Sequence, residues 1–118
     1  MSAVVIFGIP NCDTVKKARN WLDKRNIDYQ FHDFRRDGLT NKQIKSWLTQ
    51  VDVEILLNKR SRSWRNLSET DKSHLTENKA IKLMLNQPSL IKRPVLVKGK
   101  KINIGFDPKD YQSLFNNE

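Results

Sequence analysis

Val4-Val5-Ile6-Phe7-Gly8-Ile9-Pro10-Asn11-Cys12-Asp13-Thr14 is the stretch that decides the fold. Its β-branched, apolar beginning predicts a buried strand over residues 3–7. Gly8 and Pro10 interrupt that pattern, and an amphipathic helix is predicted from about residue 13 to residue 25. The single cysteine of the chain, Cys12, therefore lies where a strand gives way to a helix N-terminus.

Cys12 occupies a position that favours a reactive thiolate. A helix N-terminus presents unpaired N–H groups and a partial positive charge, which stabilise an anion. The neighbouring side chains of Asn11, Asp13 and Thr14 are polar and prefer caps and turns, so they argue against a core position. The alternative, a free cysteine that only fills apolar space, stays open at this point.

The bulk properties narrow the classes of protein. A chain of 118 residues is expected to form one domain, residues 1–118. One cysteine cannot form an internal disulfide, so a reducing, cytoplasmic compartment is expected, without a membrane span or a signal peptide. The net charge of +9 suits anionic ligands. His32 and His74 have no partners at ligand spacing, so no metal site is expected.

The order of predicted elements is βαβ, then a helical insertion at about residues 38–90, then ββα. Asn26 is expected to end the first helix, and a second strand over residues 27–31 is expected to run parallel to the first. Ile55, Leu56 and Leu57 form an apolar cluster in the insertion. The remaining signals are a capping box at Thr40–Gln43, a cap at Thr76, a hairpin turn at Gly99-Lys100 and a cap at Asp107 before Pro108.

Short motifs along nearly the whole chain carry a family resemblance. They are Phe7–Cys12, Asp13–Arg19, Trp21-Leu22, Ile27–Tyr29, Asp37–Leu39, Leu56–Arg60, Trp64-Arg65 and Ile91–Pro94. Together with the order of elements, they resemble the arsenate-reductase-like family that includes the ArsC, Spx and YffB proteins, and the YffB subgroup most of all. The resemblance implies an α/β, thioredoxin-like fold, with a mixed sheet and helices on both faces.

The resemblance also implies the residues of a site. In the family, the cysteine that matches Cys12 is the redox nucleophile, and the proline that matches Pro94 follows a cis peptide bond and faces it. Arg93 would contact an anionic substrate or the thiolate. A further site arginine is expected at Arg60, unless Asn58 is the matching position. The residues expected to bind substrate or glutathione are therefore Asn11, Arg60, Arg93 and Pro94.

Three functions follow from this resemblance. The first is a glutathione-linked monothiol oxidoreductase that acts through a mixed disulfide on Cys12. Since the chain reads Cys12-Asp13-Thr14-Val15 and has no second thiol, glutathione or glutaredoxin must release that disulfide. Glutathione is then a reducing co-substrate, and no bound cofactor is expected.

The second function is a glutaredoxin-coupled arsenate reductase, although Ile104–Pro108 lacks the arginine that the family carries after the last strand. The third is an Spx-like, non-enzymatic regulator that binds RNA polymerase. In each case a monomer without sequence-specific binding of nucleic acid and without membrane association is expected.

Overall fold

The computed structural model describes residues 3–116 and divides the chain into two compact units. The first unit is built from two separate segments of sequence, one that ends at Gly38 and one that begins at Arg93. The second unit is the intervening segment, Leu39–Lys92.

A mixed four-stranded sheet forms the centre of the first unit. Its strands lie in the order β2-β1-β3-β4. Strand β1 runs parallel to β2 and antiparallel to β3, and β3 and β4 form a hairpin. The strands are β1 (Val4–Gly8), β2 (Gln30–Asp33), β3 (Val95–Lys98) and β4 (Lys101–Ile104). The predicted parallel βαβ unit and the predicted hairpin are both confirmed.

Helices of one to three turns account for most of the remaining described residues. They are α1 (Asp13–Lys24), α2 (Phe34–Asp37), α3 (Asn41–Leu48), α4 (Val53–Leu56), α5 (Arg62–Arg65), α6 (Glu69–Lys72), α7 (Glu77–Asn86) and α8 (Pro108–Phe115), with a 3₁₀ turn at Pro88–Leu90. None of the helices within residues 3–116 is long and apolar enough to cross a membrane.

The second strand begins later than the sequence predicts. The expectation was residues 27–31, whereas the ladder with β1 begins where Gln30 lies opposite Val5. The reason is that the N–H of Ile27 donates to the carbonyl of Leu22, 3.1 Å away, so it is still tied to the end of α1. A backbone group used there is not available to the sheet.

Helices α1 and α8 share one apolar cluster with the sheet. Tyr111 of α8 is fully buried in it, with its ring edge-on to those of Trp21 at 5.5 Å and Phe106 at 4.8 Å. The hydroxyl of Tyr111 has no hydrogen-bond partner within the described chain, and burial raises the pKa of Tyr111. The buried members of the cluster are Val4, Ile6, Ala18, Trp21, Leu22, Leu96 and Tyr111.

Three predicted caps and turns in the first unit are confirmed, at Asn26, Gly99 and Asp107. Asn26 adopts a φ of 55°, in the left-handed region that ends a helix. Gly99 has a φ of 59° at the first central position of the hairpin turn. The carboxylate of Asp107 accepts from the N–H of Lys109 at 2.8 Å and caps α8.

After β2, Asp37 accepts from Arg36 and from the N–H of Asp33, which lowers the pKa of Asp37 to about 2.

The second unit is helical, and its two longer helices α3 and α7 pack beside each other. The predicted capping box is present, because Thr40 and Gln43 exchange side-chain to backbone hydrogen bonds. Thr76 caps α7 as predicted, through the N–H of Lys79 at 3.2 Å. The buried apolar residues of α3 and α7 are Ile44, Trp47, Ala80, Ile81 and Met84.

The apolar cluster predicted for residues 55–57 is only partly correct. Leu56 and Leu57 are buried, but Ile55 is 51% exposed. Ile55 and Leu56 are consecutive residues of α4 and point about 100° apart, so Ile55 turns away from the core that Leu56 faces.

Candidate active site around Cys12

Cys12 is the N-cap residue of α1. Its backbone is extended, with φ −113° and ψ 126°, and its carbonyl accepts the first helical hydrogen bond from the N–H of Lys16 at 2.9 Å. Its side chain does not cap the helix, and the thiol is free and half-buried. The thiol therefore lies at the start of α1, where the N–H groups of the first turn have no partner within the helix.

Gly8 determines how closely α1 approaches β1. A Cβ atom at this position would lie 2.8 Å from Cγ2 of Val15, closer than real Cβ contacts. Because glycine lacks that atom, Val15 packs fully buried directly over the end of the strand. This contact fixes the start of α1, and with it Cys12, relative to the sheet. A sequence pattern does not report such a distance, so sequence reasoning treated Gly8 only as an interruption.

The Arg93–Pro94 bond lies at the same end of the sheet as Cys12. It is a cis peptide bond, as the resemblance implies. Phe7 pairs with Val95, so the residues after Phe7 and those before Val95 leave the sheet together. Pro94 is buried, and its carbonyl accepts from the N–H of Gly105 at 2.8 Å. The register of β1 and β3 therefore brings the segment of Cys12 and the segment of Pro94 to one edge.

Arg93 carries a charge that the described protein does not neutralise. Its side chain makes no ion pair with an acidic residue among positions 3–116. Its Nε atom is buried and has no hydrogen-bond partner in that part of the chain. Buried donors are nearly always satisfied, so an unsatisfied one indicates a site for a partner. An anionic group is the partner that a guanidinium suits best.

His32 is a neighbour of this edge that sequence reasoning considered only as a metal ligand. It pairs with Phe7 across β1 and β2, and the two ring centroids are 4.7 Å apart. Its Nε2 lies 2.7 Å from the carbonyl oxygen of Gly38. The alternation of side chains along β2 would predict that His32 packs beside Phe7. A strand predicted over residues 27–31 does not include His32, so this contact is missed. Among residues 3–116, the structure gathers no three His, Cys, Asp or Glu side chains that could hold a metal ion.

The other predicted site residues differ in their setting. Asn11 precedes Cys12 and is exposed. Asn58 and Arg60 lie in the second unit, where the N–H of Arg60 donates to Oδ1 of Asn58 at 3.2 Å. The N–H of Asn58 itself donates to the carbonyl of Leu90 at 2.7 Å. Arg60 is exposed. A role for either residue beside Cys12 stays a prediction.

Comparison with known proteins gives consistent relatives. An uncharacterized protein of Haemophilus influenzae is 44% identical over 112 residues, which are 95% of this chain and 98% of that protein. The global transcriptional regulator Spx of Lactiplantibacillus plantarum is 28% identical over 106 residues, 88% of this chain and 80% of Spx. The solved structure of a YffB protein matches with a TM-score of 0.90 and 43% identity, covering 93% of this chain and 96% of that one.

These similarities, with the four-stranded mixed sheet, confirm the predicted α/β, thioredoxin-like fold class. A model of the family described as the ArsC family matches residues 7–114. That match includes the end of β1, the cysteine, the helical unit, the hairpin and most of α8. The chain therefore belongs to the ArsC family.

Proposed function

We propose that this protein is a glutathione-linked monothiol oxidoreductase that acts in the reducing cytoplasm through Cys12. The observation that carries the proposal is the free, half-buried cysteine at the start of α1, at the sheet edge that also holds Arg93–Pro94. This setting combines a nucleophile, the positive end of a helix and an unpaired guanidinium.

The first step is a thiol–disulfide exchange. The thiolate of Cys12 attacks the glutathione sulfur of a protein–glutathione mixed disulfide. A Cys12–glutathione disulfide forms as the substrate S–S bond breaks, and the substrate leaves as a thiolate that takes a proton from water. No net oxidation occurs in this step, because one disulfide replaces another.

The second step needs a thiol from outside the chain. Glutathione attacks the glutathione sulfur bound to Cys12, oxidised glutathione leaves, and Cys12 returns as a thiolate. Over the two steps, the mixed disulfide of the substrate and one glutathione thiol become a substrate thiol and oxidised glutathione, so one disulfide again replaces another. Since this chain contains a single cysteine, an internal thiol cannot carry out this step. Glutaredoxin would serve as the alternative source of the resolving thiol.

Glutathione would be bound by the residues that the family resemblance implies. Arg93 would hold a glutathione carboxylate by charge-assisted hydrogen bonds, and Arg60, or Asn58 in its place, would be the second polar contact. Asn11 would supply amide donors beside the sulfur. The buried ring of Pro94 would form a wall against which the disulfide lies. The chain would do this as a monomer.

The test is mass spectrometry of the intact protein after incubation with oxidised glutathione. The wild type should gain one glutathione on Cys12 and lose it when reduced glutathione is added, whereas Cys12→Ser should gain none. Arg93→Ala should slow the gain about tenfold, since hydrogen bonds to charged groups contribute about 1.5–3 kcal/mol. Arg35→Ala, which removes an exposed arginine of the same unit, is the matched control and should react at the wild-type rate.

Failure of oxidised glutathione to label Cys12, or full activity of Cys12→Ser, would remove the enzymatic proposal. The two alternatives then separate by their own assays. Arsenate reduction would be measured with arsenate, glutathione and glutaredoxin.

The arsenate alternative is weakened by the residues that follow the last strand. Phe106 packs edge-on against Tyr111, and Asp107 caps α8, so both positions have structural uses and neither offers a cation. The similarity to Spx supports a regulatory alternative in which the chain docks on RNA polymerase. That role requires no turnover at Cys12, and affinity capture with the Cys12→Ser variant would detect it.

A further inference from the structure

An open basin lies within the second unit, formed by residues of that unit alone. Its volume is about 490 Å³, in the range of pockets that hold a few side chains or a small molecule. The residues that line it include Glu54, Ile55, Asn58, Lys59, Arg60 and Lys92.

The basin stands on a rigid frame. The segments around Leu57 and Ile91 form an antiparallel bridge. On either side of it, the N–H of Asn58 donates to Leu90 at 2.7 Å, and the N–H of Lys92 donates to Leu56 at 2.8 Å. Leu56, Leu57, Leu90 and Ile91 are all buried beneath. The side chains of the rim are therefore carried by a backbone that is held in place.

The charge of the basin is positive. Lys59 forms an ion pair with Glu54, so these two charges compensate each other. Arg60 and Lys92 pair with no acidic side chain among residues 3–116, and both are exposed. Two uncompensated cations at one concave surface attract carboxylates, and a concave site strengthens that field.

The basin also has an apolar element. Ile55 is 51% exposed, and no other large apolar side chain among residues 3–116 is exposed to solvent in this way. Nearby, the Nζ of Lys59 lies 5.3 Å from the centre of the Trp64 ring, so an aromatic surface continues beyond the basin. A concave surface that has both an exposed apolar side chain and uncompensated cations offers an acidic segment an apolar contact and charged partners at once.

We propose that this basin docks an acidic segment of a partner protein, with one apolar side chain of that segment placed on Ile55. Carboxylates on both sides of the apolar residue would pair with Arg60 and Lys92. A nucleic acid would leave Ile55 without an apolar contact, and a second copy of this chain, with its net charge of +9, would be repelled. The docking uses neither Cys12 nor Arg93, and it goes beyond the thiol chemistry proposed above. It shares one residue with that proposal, because Arg60 is also the proposed second contact for glutathione.

The experiment uses the full chain and a short fluorescein-labelled peptide that has a central leucine flanked by aspartates and glutamates. Fluorescence anisotropy gives the dissociation constant. We expect binding to weaken about fivefold in Ile55→Ser and about threefold in Lys92→Gln. Lys100→Gln removes an exposed lysine from the hairpin turn of the other unit and is the matched control, expected to bind as the wild type. A peptide whose leucine is replaced by serine should lose about as much affinity for the wild type as Ile55→Ser does.

Amide chemical shifts give the location independently. Addition of the peptide should move the signals of Ile55, residues 57–60 and Lys92, and leave that of Lys100 in place.

Three outcomes would overturn the proposal. If Lys92→Gln and Lys100→Gln weaken binding of the peptide equally, the peptide is attracted by the net charge of the chain and not by the basin. Tight binding of the leucine-to-serine peptide would mean that Ile55 is not used. Displacement of the peptide by millimolar oxidised glutathione would make the basin a subsite for the small co-substrate. Labelling of Cys12 by oxidised glutathione in Ile55→Ser and Lys92→Gln reports on the thiol proposal separately, since neither variant touches its assigned residues.

Discussion

Gly8 is a single residue on which the position of Cys12 depends. We expect Gly8→Ala to lower the free energy of unfolding by about 1–3 kcal/mol, the usual cost of overpacking a core. The added Cβ atom would lie 2.8 Å from Val15 and push the start of α1 away from β1. Denaturation in urea measures the stability, and the rate of glutathione labelling reports the displacement of Cys12.

The control for this prediction is a double-mutant cycle with Val15→Ala. That variant removes the two methyl groups that the new Cβ would meet, so the two substitutions should be less harmful together than the sum of each alone. Additive losses would mean that Gly8 matters for some reason other than its contact with Val15.

Tyr111 carries a hydroxyl group that its surroundings do not use. Tyr111→Phe should leave the free energy of unfolding unchanged or raise it by about 1 kcal/mol, because a buried group without a partner costs about 1–3 kcal/mol. Tyr29→Phe is the matched control. The hydroxyl of Tyr29 accepts from Nε of Arg19 at 3.1 Å, so its loss should destabilise by about 0.5–1.5 kcal/mol. A larger loss for Tyr111 than for Tyr29 would reveal a partner for the buried hydroxyl.

The free energy of unfolding should depend on pH through Tyr111, and the sign of that dependence follows from its burial. Burial raises the pKa of Tyr111 above its usual value of 10.0. The unfolded chain ionises at about pH 10 while the folded protein does not, so stability is complete below that pH and falls as the pH rises further. When the pH is raised from neutral to above about 10, the free energy of unfolding should fall less in Tyr111→Phe than in the wild type. Urea denaturation at both pH values measures this difference.

At the scale of elements, two helix ends place a side chain in the left-handed region. Asn26 follows α1 with a φ of 55°, and His74 follows α6 with a φ of 48°. Glycine adopts this conformation without a steric cost, and asparagine adopts it more readily than most other residues. His74→Gly should therefore raise the free energy of unfolding by about 0.5–1 kcal/mol, after the greater entropy of unfolded glycine is subtracted.

Asn26→Gly is the matched change, and it should alter stability by less than about 0.5 kcal/mol. Thermal unfolding of both variants beside the wild type measures the difference. Destabilisation by His74→Gly would mean that the imidazole makes a contact worth more than the strain.

The elements show why some boundaries follow from sequence and others do not. Caps are local, so Thr40, Thr76 and Asp107 were predicted from their side chains alone. The start of β2 depends on a hydrogen bond from Ile27 back to α1, which a pattern of alternating residues does not contain. The exposure of Ile55 depends in the same way on where a single helical turn faces.

At the scale of the whole molecule, the net charge determines how strongly the chain binds polyanions. The chain should bind duplex DNA weakly, with equal affinity for unrelated sequences and with affinity that falls steeply as salt rises. The described helices give no recognised arrangement for reading base edges. Gel shifts with two unrelated duplexes over a range of salt concentrations measure this. A strong preference for one sequence at physiological salt would contradict it and favour the regulatory alternative.

Some residues of the candidate site could be predicted from the sequence, and others could not. Cys12 followed from its junction between strand and helix, and Pro94 from the family resemblance. Their common edge then follows from the pairing of Phe7 with Val95. The isolation of the Arg93 guanidinium did not follow, because it depends on every acidic side chain that stays away from it. The role of Arg60 stays a prediction.

The discontinuous first unit has a consequence on the ribosome. Strand β1 is made early, but Val4 pairs with Lys98, which is synthesised about 90 residues later. At about 5–20 residues per second, the nascent chain waits roughly five to twenty seconds for that partner. During this interval one edge of an apolar strand has unpaired N–H and carbonyl groups, a surface that other chains can join. A message truncated before residue 93 would therefore yield a chain that aggregates, since β1 would never receive the strand that covers it.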